Sequence, residues 1–428
     1  MRQFFVHNFG CRATQADGAA LESLLAQRGL SAASDWNAAD LVVLNSCTVT
    51  AAADEDLRHT VRRVYRENPE AKILVTGCYA QRAPEEIAAL PGVEWVVGNS
   101  DKSAIPDLVS SDYHGQIHVH DIFAQHDFLS APVEDAAGDR ARPNLKIQDG
   151  CNNRCSFCVI PFVRGRSRSM PEDQVIDQVR GLAANYKEIV LSGINLGRWN
   201  REPGKSLRLA GLLKRMLDET EVERIRLSSV EPMDFSDELF TLMAESPRIA
   251  KHVHAPLQSG SDTVLRRMHR KYRPRHYADR VNKARQWMPD AAIGADVMTG
   301  FPGETDAEFE ETFRFIDELP FTYLHVFTYS ARPGTPAAEA PTQVPMPLRK
   351  ERNKRLRDLA EQKNLTFRQH FIGRKLSVVT LGDGPRALSD NFLKVDLLQD
   401  ARANQLREVR IGTVTPNGLA EHDPLRVL

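Results

Sequence analysis

The chain is read outward from Cys151-Asn152-Asn153-Arg154-Cys155-Ser156-Phe157-Cys158. Three thiols stand here at i, i+4 and i+7. A structural zinc site takes four closed ligands, usually from CxxC pairs, and no second CxxC or close histidine follows. A 4Fe–4S cluster takes three thiolates and leaves one iron open to a substrate or cofactor. Three chance or merely buried cysteines would have no reason to be spaced so tightly. CxxxCxxC therefore reads as a cofactor site.

The segments around it repeat one unit. Residues 144–148 (NLKIQ) read as a strand leading straight into Cys151. A helix is expected over 171–184, with Pro171 at its first position and Ile176, Val179 and Leu182 turned inward. Strands follow at 188–191, 223–228, 251–255, 291–297 and 322–328. Six strands with intervening helices predict a partial βα barrel whose active site lies at the carboxyl ends of the strands. SGINLG (192–197), SSVEP with Glu231, HAPLQSGS with Gln258 and Ser259, and TGFPGET all fall there. Each alone is an ordinary loop. Their convergence on one face marks a ligand site.

A second series precedes this one. Residues 2–7, 41–44, 72–76 and 93–97 read as short buried strands. The first helix between them carries Leu21, Leu24 and Leu25 on one face and stops at Gly29. The next carries Leu57, Val61, Val64 and Tyr65, with Pro69 beyond its end. Alternation of this kind implies a parallel sheet with right-handed crossovers and ligands at the strand ends. Cys11, Cys47 and Cys78 follow the first three strands, in NFGC, LNSC and VTGC. Ordinary core cysteines are the plain alternative. Their equivalent positions favour a second cluster.

Residues 125–143 are polar and aperiodic and read as a linker. Five prolines in 331–347 separate the barrel from a helix that starts with RKERNKRLR (Arg349–Arg357), six of whose nine residues are basic. Such a run is either a solvated face or a phosphate contact. From about Phe367 the period shortens, and runs such as LSVVTLG and NFLKVDLL predict a small β-barrel.

Composition sets the bounds. At 428 residues the chain exceeds one ordinary core, and 42% hydrophobic with 26% charged residues is globular composition. No apolar run approaches the roughly 20 residues of a membrane span. MRQFFVHNFG lacks the apolar core of a secretory leader, so a cytoplasmic location away from membranes is expected. All six cysteines fall into the two trios. A net charge of −1 means that any nucleic-acid contact rests on local basic patches.

These residues resemble the methylthiotransferases, radical S-adenosylmethionine (SAM) enzymes that place a methylthio group on tRNA adenosines or on a ribosomal protein. NFGC, NSCTV and TGC match the amino-terminal signature of that family. GCNNRCSFCVIPFVRGRSRS (Gly150–Ser169), HAPLQSGSDTVLRRMHRKY and DVMTGFPGET match its radical SAM segments, and ALSDNFLKV (Ala387–Val395) is similar to a TRAM core. KIQDGCNN, YKEIVLSGINLGRW and VFTYSARPGTPAA look most like the branch acting on N6-threonylcarbamoyladenosine, just 3′ of the anticodon. One block departs. NFGCRATQADGAALE has Gly18 where an acidic residue is more usual.

The resemblance implies an α/β chain in three units: an amino-terminal cluster domain (1–124), a partial (β/α)6 radical SAM barrel (137–365) and a TRAM-like barrel (366–428). It implies two 4Fe–4S clusters. Cys151, Cys155 and Cys158 would hold the one that cleaves SAM. Cys11, Cys47 and Cys78 would hold an auxiliary cluster carrying the sulfur to be methylated and transferred. Carbon 2 of adenine is not acidic and has no leaving group, so radical chemistry is the available route, and the cofactors carry it. SAM is expected against Gly193 and Asn195, with Glu231 and Gln258 as polar contacts. A tRNA anticodon loop and an electron-donor protein are the expected partners, with the TRAM-like barrel, the Arg349–Arg357 helix and GRSRS (Gly165–Ser169) offering phosphate contacts. The alternatives are isopentenyladenosine in tRNA, a ribosomal protein, or a non-catalytic RNA-binding redox sensor.

Overall fold

The computed structural model describes residues 1–110, 115–125, 128–129, 141–382 and 384–423. Most of the expected linker at 125–143 lies outside the described residues.

The amino-terminal sheet contains β1 (Gln3–Asn8), β2 (Ser31–Ala32), β3 (Leu41–Ser46), β4 (Lys72–Gly77), β5 (Val93–Val97) and β6 (Ile117–His118). They lie in the order β2-β1-β3-β4-β5-β6, and every pairing is parallel. The central strands, LVVLNS and KILVTG, are buried on both faces, and their continuous apolar runs suit that position. One face packs Val42, Leu44 and Val75 against Leu57, Val61 and Val64 of the helix Ala51–Glu67. The other packs Val43 and Leu74 against Leu21 and Leu25 of the helix Arg12–Gln27. Tyr65 departs from its expected inward place and is 45% exposed. The two-residue edge strands were too short to carry a periodic signal.

The next unit contains β7 (Asn144–Asp149), β8 (Arg168–Ser169), β9 (Glu188–Gly193), β10 (Arg224–Leu227), β11 (His252–His254), β12 (Ala292–Thr299) and β13 (Tyr323–Thr328). β7, β9 and β10 pair in parallel, as do β11, β12 and β13. A parallel bridge, Ile225 to Ile249, joins the two sheets into a six-stranded open barrel. β8 adds antiparallel to the outer edge of β7. Helices between the strands cover the outside, and Ile189, Leu191, Ile293, Ala295 and Val297 point into that core. Pro171 serves as the N-cap of the helix Glu172–Ala183, one position before its expected place.

Helix Met346–Gln369 then runs along β12 and β13 and ends against the last unit. Phe367, expected to open that unit, is instead on this helix and buries its ring in the carboxyl-terminal core. β14 (Lys375–Thr380), β15 (Gly384–Ser389), β16 (Lys394–Ala401), β17 (Leu406–Thr415) and β18 (Gly418–Glu421) close into a barrel in the order β14-β15-β16-β18-β17. Closure removes the free edges that an isolated small sheet would expose.

Candidate active site

Both cysteine trios lie at the carboxyl ends of parallel strands. Cys11 caps the helix that follows β1, Cys47 follows β3, and Cys78 opens the short helix after β4. Gly10 stands at φ +87°, and a Cβ there would lie 2.7 Å from Cys47 Cβ, so glycine lets the first loop close on the second cysteine. Gly18, the unusual residue of this block, packs on Asn8, whose amide would overlap a Cβ at 2.0 Å. Burial, with Cys78 and Cys11 nearby, pushes the Cys47 thiol up to about 12. Burial and Cys155 do the same to Cys158. Six free cysteines in two sequence-separated trios supply three thiols to each site, the donor set of a 4Fe–4S cluster that keeps one iron open.

One cysteine of the first trio meets the segment that follows the second. Cys78 packs against Val159 and Val163, just beyond Cys158. Asn99 Nδ2 donates to Val163 O at 2.7 Å and to Cys78 Sγ at 3.5 Å. Below them lies a buried charge network. Asp17 accepts from Lys102 Nζ at 2.8 Å, from Lys146 Nζ, and from Arg164 Nη2 at 3.0 Å, while Asp149 accepts from Arg164 Nη1 at 3.0 Å and Lys146 Nζ at 2.8 Å. Burial alone would raise both carboxyls, but Lys146 and Arg164, joined by Lys102 at Asp17, hold them well below their ordinary range. Burial would lower the Arg164 pKa, but Cys78, Asp149, Asp17 and Cys11 around it hold it well above its ordinary value.

The expected SAM residues separate into two groups. Gly193 ends β9 against the Gln148 side chain. Asn195 N donates to Gln148 Oε1 at 2.6 Å, and Asn195 Nδ2 lies 4.0 Å from Cys151 Sγ. Gln258, at φ +66°, bridges to Val297. Asn195 Oδ1 and Gln258 Oε1 are buried and lack hydrogen-bond partners, as do Ser192 Oγ and Ser228 Oγ at neighbouring strand ends. Orphaned polar atoms collected on one face are what a polar ligand would satisfy. Glu231 is already engaged: it accepts from Arg270 Nη2 at 2.7 Å. Arg270 Nη1 in turn lies 3.4 Å from Cys155 Sγ. Sequence reasoning missed Gln148, Arg164 and Arg270. Arg270 sits in the quoted HRKY run, but nothing in the run says that its guanidinium reaches a cysteine.

The basic segments divide as well. Arg349 and Arg352 are buried and donate inward, Arg349 to the Val344 and Tyr329 carbonyls and Arg352 to Glu304 and Asp306. Arg355 pairs with Glu310. Lys350, Lys354 and Arg357 instead line a cleft of about 910 Å³ between the helix and the free edge of β13. Within GRSRS, Arg168 turns back on the Arg164 carbonyl, and Arg166 borders a cleft of about 400 Å³ beside Asn152 and Asn195.

Residues 145–316 match the Radical SAM superfamily, and residues 3–98 match the uncharacterized protein family UPF0004. The chain is 40% identical over 380 residues to the threonylcarbamoyladenosine tRNA methylthiotransferase MtaB of Bacillus subtilis, covering 87% of this chain and 83% of that one. The chain belongs to the methylthiotransferase family. It is therefore a radical SAM enzyme, and a 4Fe–4S cluster with SAM is the cofactor set that membership implies. Another member, the tRNA-2-methylthio-N(6)-dimethylallyladenosine synthase of Novosphingobium aromaticivorans, is 35% identical over 88% of this chain and 86% of its own. The methylthiotransferase fold is similar to that of the radical SAM methyltransferase TsrM from Kitasatospora setae, with a TM-score of 0.59 at 16% identity over 79% of this chain and 77% of that one. Among the described residues no helix is long and apolar enough to cross a membrane.

Proposed function

We propose that this methylthiotransferase acts on tRNA, converting N6-threonylcarbamoyladenosine beside the anticodon to its 2-methylthio derivative. The observation that carries the reading is the family match to MtaB enzymes over most of the chain, supported by the packing of Cys78 against Val159 and Val163, just beyond Cys158. Cys151, Cys155 and Cys158 hold the cluster that engages SAM, and Cys11, Cys47 and Cys78 hold a second 4Fe–4S cluster. When bound, these groups supply radical activation of an unreactive C–H bond and the methylthio group itself.

The protein's part is positioning. Asn195 and Gln258 offer SAM their unpartnered oxygens, and Gly193 keeps the strand end free of a side chain. Glu231 acts through Arg270, holding its guanidinium at Cys155. The Asp17–Arg164–Asp149 network fixes the distance between the trios. The units are taken as residues 1–124, 137–365 and 366–428, the helix Met346–Gln369 running across the last boundary, and an electron-donor protein in the cytoplasm completes the cycle. Lys350, Lys354 and Arg357 take phosphates of the anticodon loop.

Mass spectrometry of nucleosides from cells lacking the protein, and from complemented cells, tests this. Loss of 2-methylthio-N6-threonylcarbamoyladenosine, restored on complementation, is expected. Loss of the isopentenyl analogue instead would move the substrate.

A further inference from the structure

Within the open barrel a chain of polar side chains runs toward the substrate cleft. His252 and His254 on β11, Asp296 on β12, and Tyr323 and His325 on β13 share the inner face, because strand residues two apart point the same way. Tyr323 Oη lies 2.7 Å from His252 Nε2 and 2.8 Å from His254 Nδ1. His325 Nδ1 donates to Asp296 Oδ1 at 3.2 Å. His254 Nε2 also lies 3.2 Å from that oxygen, so the two histidines flank one carboxylate. Burial alone would raise the Asp296 carboxyl. The histidine contacts outweigh it and hold the group ionised.

The inner end is closed by the last domain. Phe392, from the turn after β15, stacks on His252 with centroids 4.3 Å apart and planes 21° apart. The outer end is open. The His325 side chain is 59% exposed, and with Tyr323 it lines the 910 Å³ cleft. The Arg12 guanidinium adds positive charge near His252 and Tyr323 and helps to lower the pKa of each, against the burial that raises Tyr323 overall.

We infer that the His254–Asp296–His325 segment of this chain reads the substituent on N6 of the target adenosine and selects a hydrogen-bonding one over a hydrocarbon. The inference rests on the proposed reaction and adds the basis of its substrate choice. A threonylcarbamoyl group carries ureido N–H donors, a hydroxyl and a carboxylate. Asp296 and the free edge of His325 accept from the donors, and Arg12 supplies positive potential for the carboxylate. An isopentenyl group would desolvate the same five side chains and return nothing. A site built for hydrogen bonds rejects the analogue that lacks them far more strongly than an apolar pocket rejects an added hydroxyl.

The test uses the anaerobically reconstituted enzyme and anticodon stem-loop RNAs bearing N6-threonylcarbamoyladenosine, N6-isopentenyladenosine or adenosine at the target position. Affinity is read by fluorescence anisotropy and turnover by nucleoside mass spectrometry. Wild type should favour the threonylcarbamoyl loop over the isopentenyl loop by about tenfold or more. His325→Leu and Tyr323→Phe should shrink that ratio by about tenfold. Tyr323→Phe keeps the ring that packs against His252, so it answers the question even if His325→Leu folds poorly. If wild type prefers the threonylcarbamoyl loop and both variants keep its ratio, the lumen assignment fails while the proposed reaction stands. If wild type methylthiolates only the isopentenyl loop, both fail.

Discussion

Arg164 donates to Asp17 at 3.0 Å across the boundary between the amino-terminal domain and the barrel. Arg164 lies six residues past Cys158, and Asp17 lies six residues past Cys11, so one ion pair links the segments that carry the two trios. Both side chains are only 2% exposed. A buried pair of this kind gains little over a hydrophobic substitute, but breaking it strands a charge.

Asp17→Asn is therefore expected to destabilise the fold by ~3–5 kcal/mol, because Lys102, Lys146 and Arg164 lose their shared counter-charge. Denaturant unfolding of wild type and variant measures the difference. The pH dependence follows the same network. Asp17 and Asp149 have folded pKa values below the ordinary carboxylate value, so their stabilisation is complete above pH ~4 and is lost as pH falls further. Asp17→Asn should flatten the acid limb of the stability curve. An acid limb as steep as wild type would exclude Asp17 as its source.

Arg270 supports the second trio in the same way. It sits between Glu231 and the Cys155 sulfur, and burial would lower its pKa were Tyr272, Glu231 and Cys155 not around it. Arg270→Met should leave Glu231 unpaired and speed loss of iron to a chelator several-fold. Glu231→Gln should have a smaller effect in the same direction, since the neutral amide still accepts a hydrogen bond. Bleaching of the cluster absorbance under anaerobic chelation reads both. Equal rates in wild type and Arg270→Met would remove Arg270 from the support of the cluster.

The trios should separate functionally. Cys155→Ala is expected to lose about half the iron of the reconstituted enzyme and to stop formation of 5′-deoxyadenosine from SAM. Cys47→Ala should lose a similar share of iron yet still cleave SAM, while methylthio transfer stops. Full transfer by Cys47→Ala would show that the second trio is not a cluster site.

How far the sequence could be read depended on the range of each interaction. CxxxCxxC needs only eight residues, and LVVLNS and KILVTG announce buried strands by composition, so the six-strand barrel and the parallel sheet were legible. The equivalence of Cys11, Cys47 and Cys78 was also legible, because each follows its strand by a few residues. What the sequence hid was side-chain direction over long separations. Glu231 read as an exposed strand-end carboxylate, but Arg270, 39 residues on, already holds it. Nothing local in the helix Arg12–Gln27 shows that Asp17 meets Arg164, which is 147 residues away. Tyr65 read as part of the apolar face, yet the buried stripe is Leu57, Val61 and Val64, and one residue on, about 100° further round the helix, the Tyr65 ring is exposed.

The basic helix shows the same limit and yields the last prediction. By composition RKERNKRLR is uniform, but helical geometry splits it. Arg349 and Arg352 face inward to backbone carbonyls and to Glu304, while Lys350, Lys354 and Arg357, at i, i+4 and i+7, share the cleft wall. Only the second set can neutralise phosphates. Lys350→Gln and Arg357→Gln should each weaken stem-loop binding across sequences and lower the salt slope of log K by about 1. Arg352→Gln should leave the slope alone and instead destabilise the fold, since Glu304 loses its buried partner at 2.7 Å. Binding titrations over a range of salt, run beside thermal melts, distinguish the two behaviours. A reduced slope for Arg352→Gln with unchanged melting would reverse the assignment of the two faces.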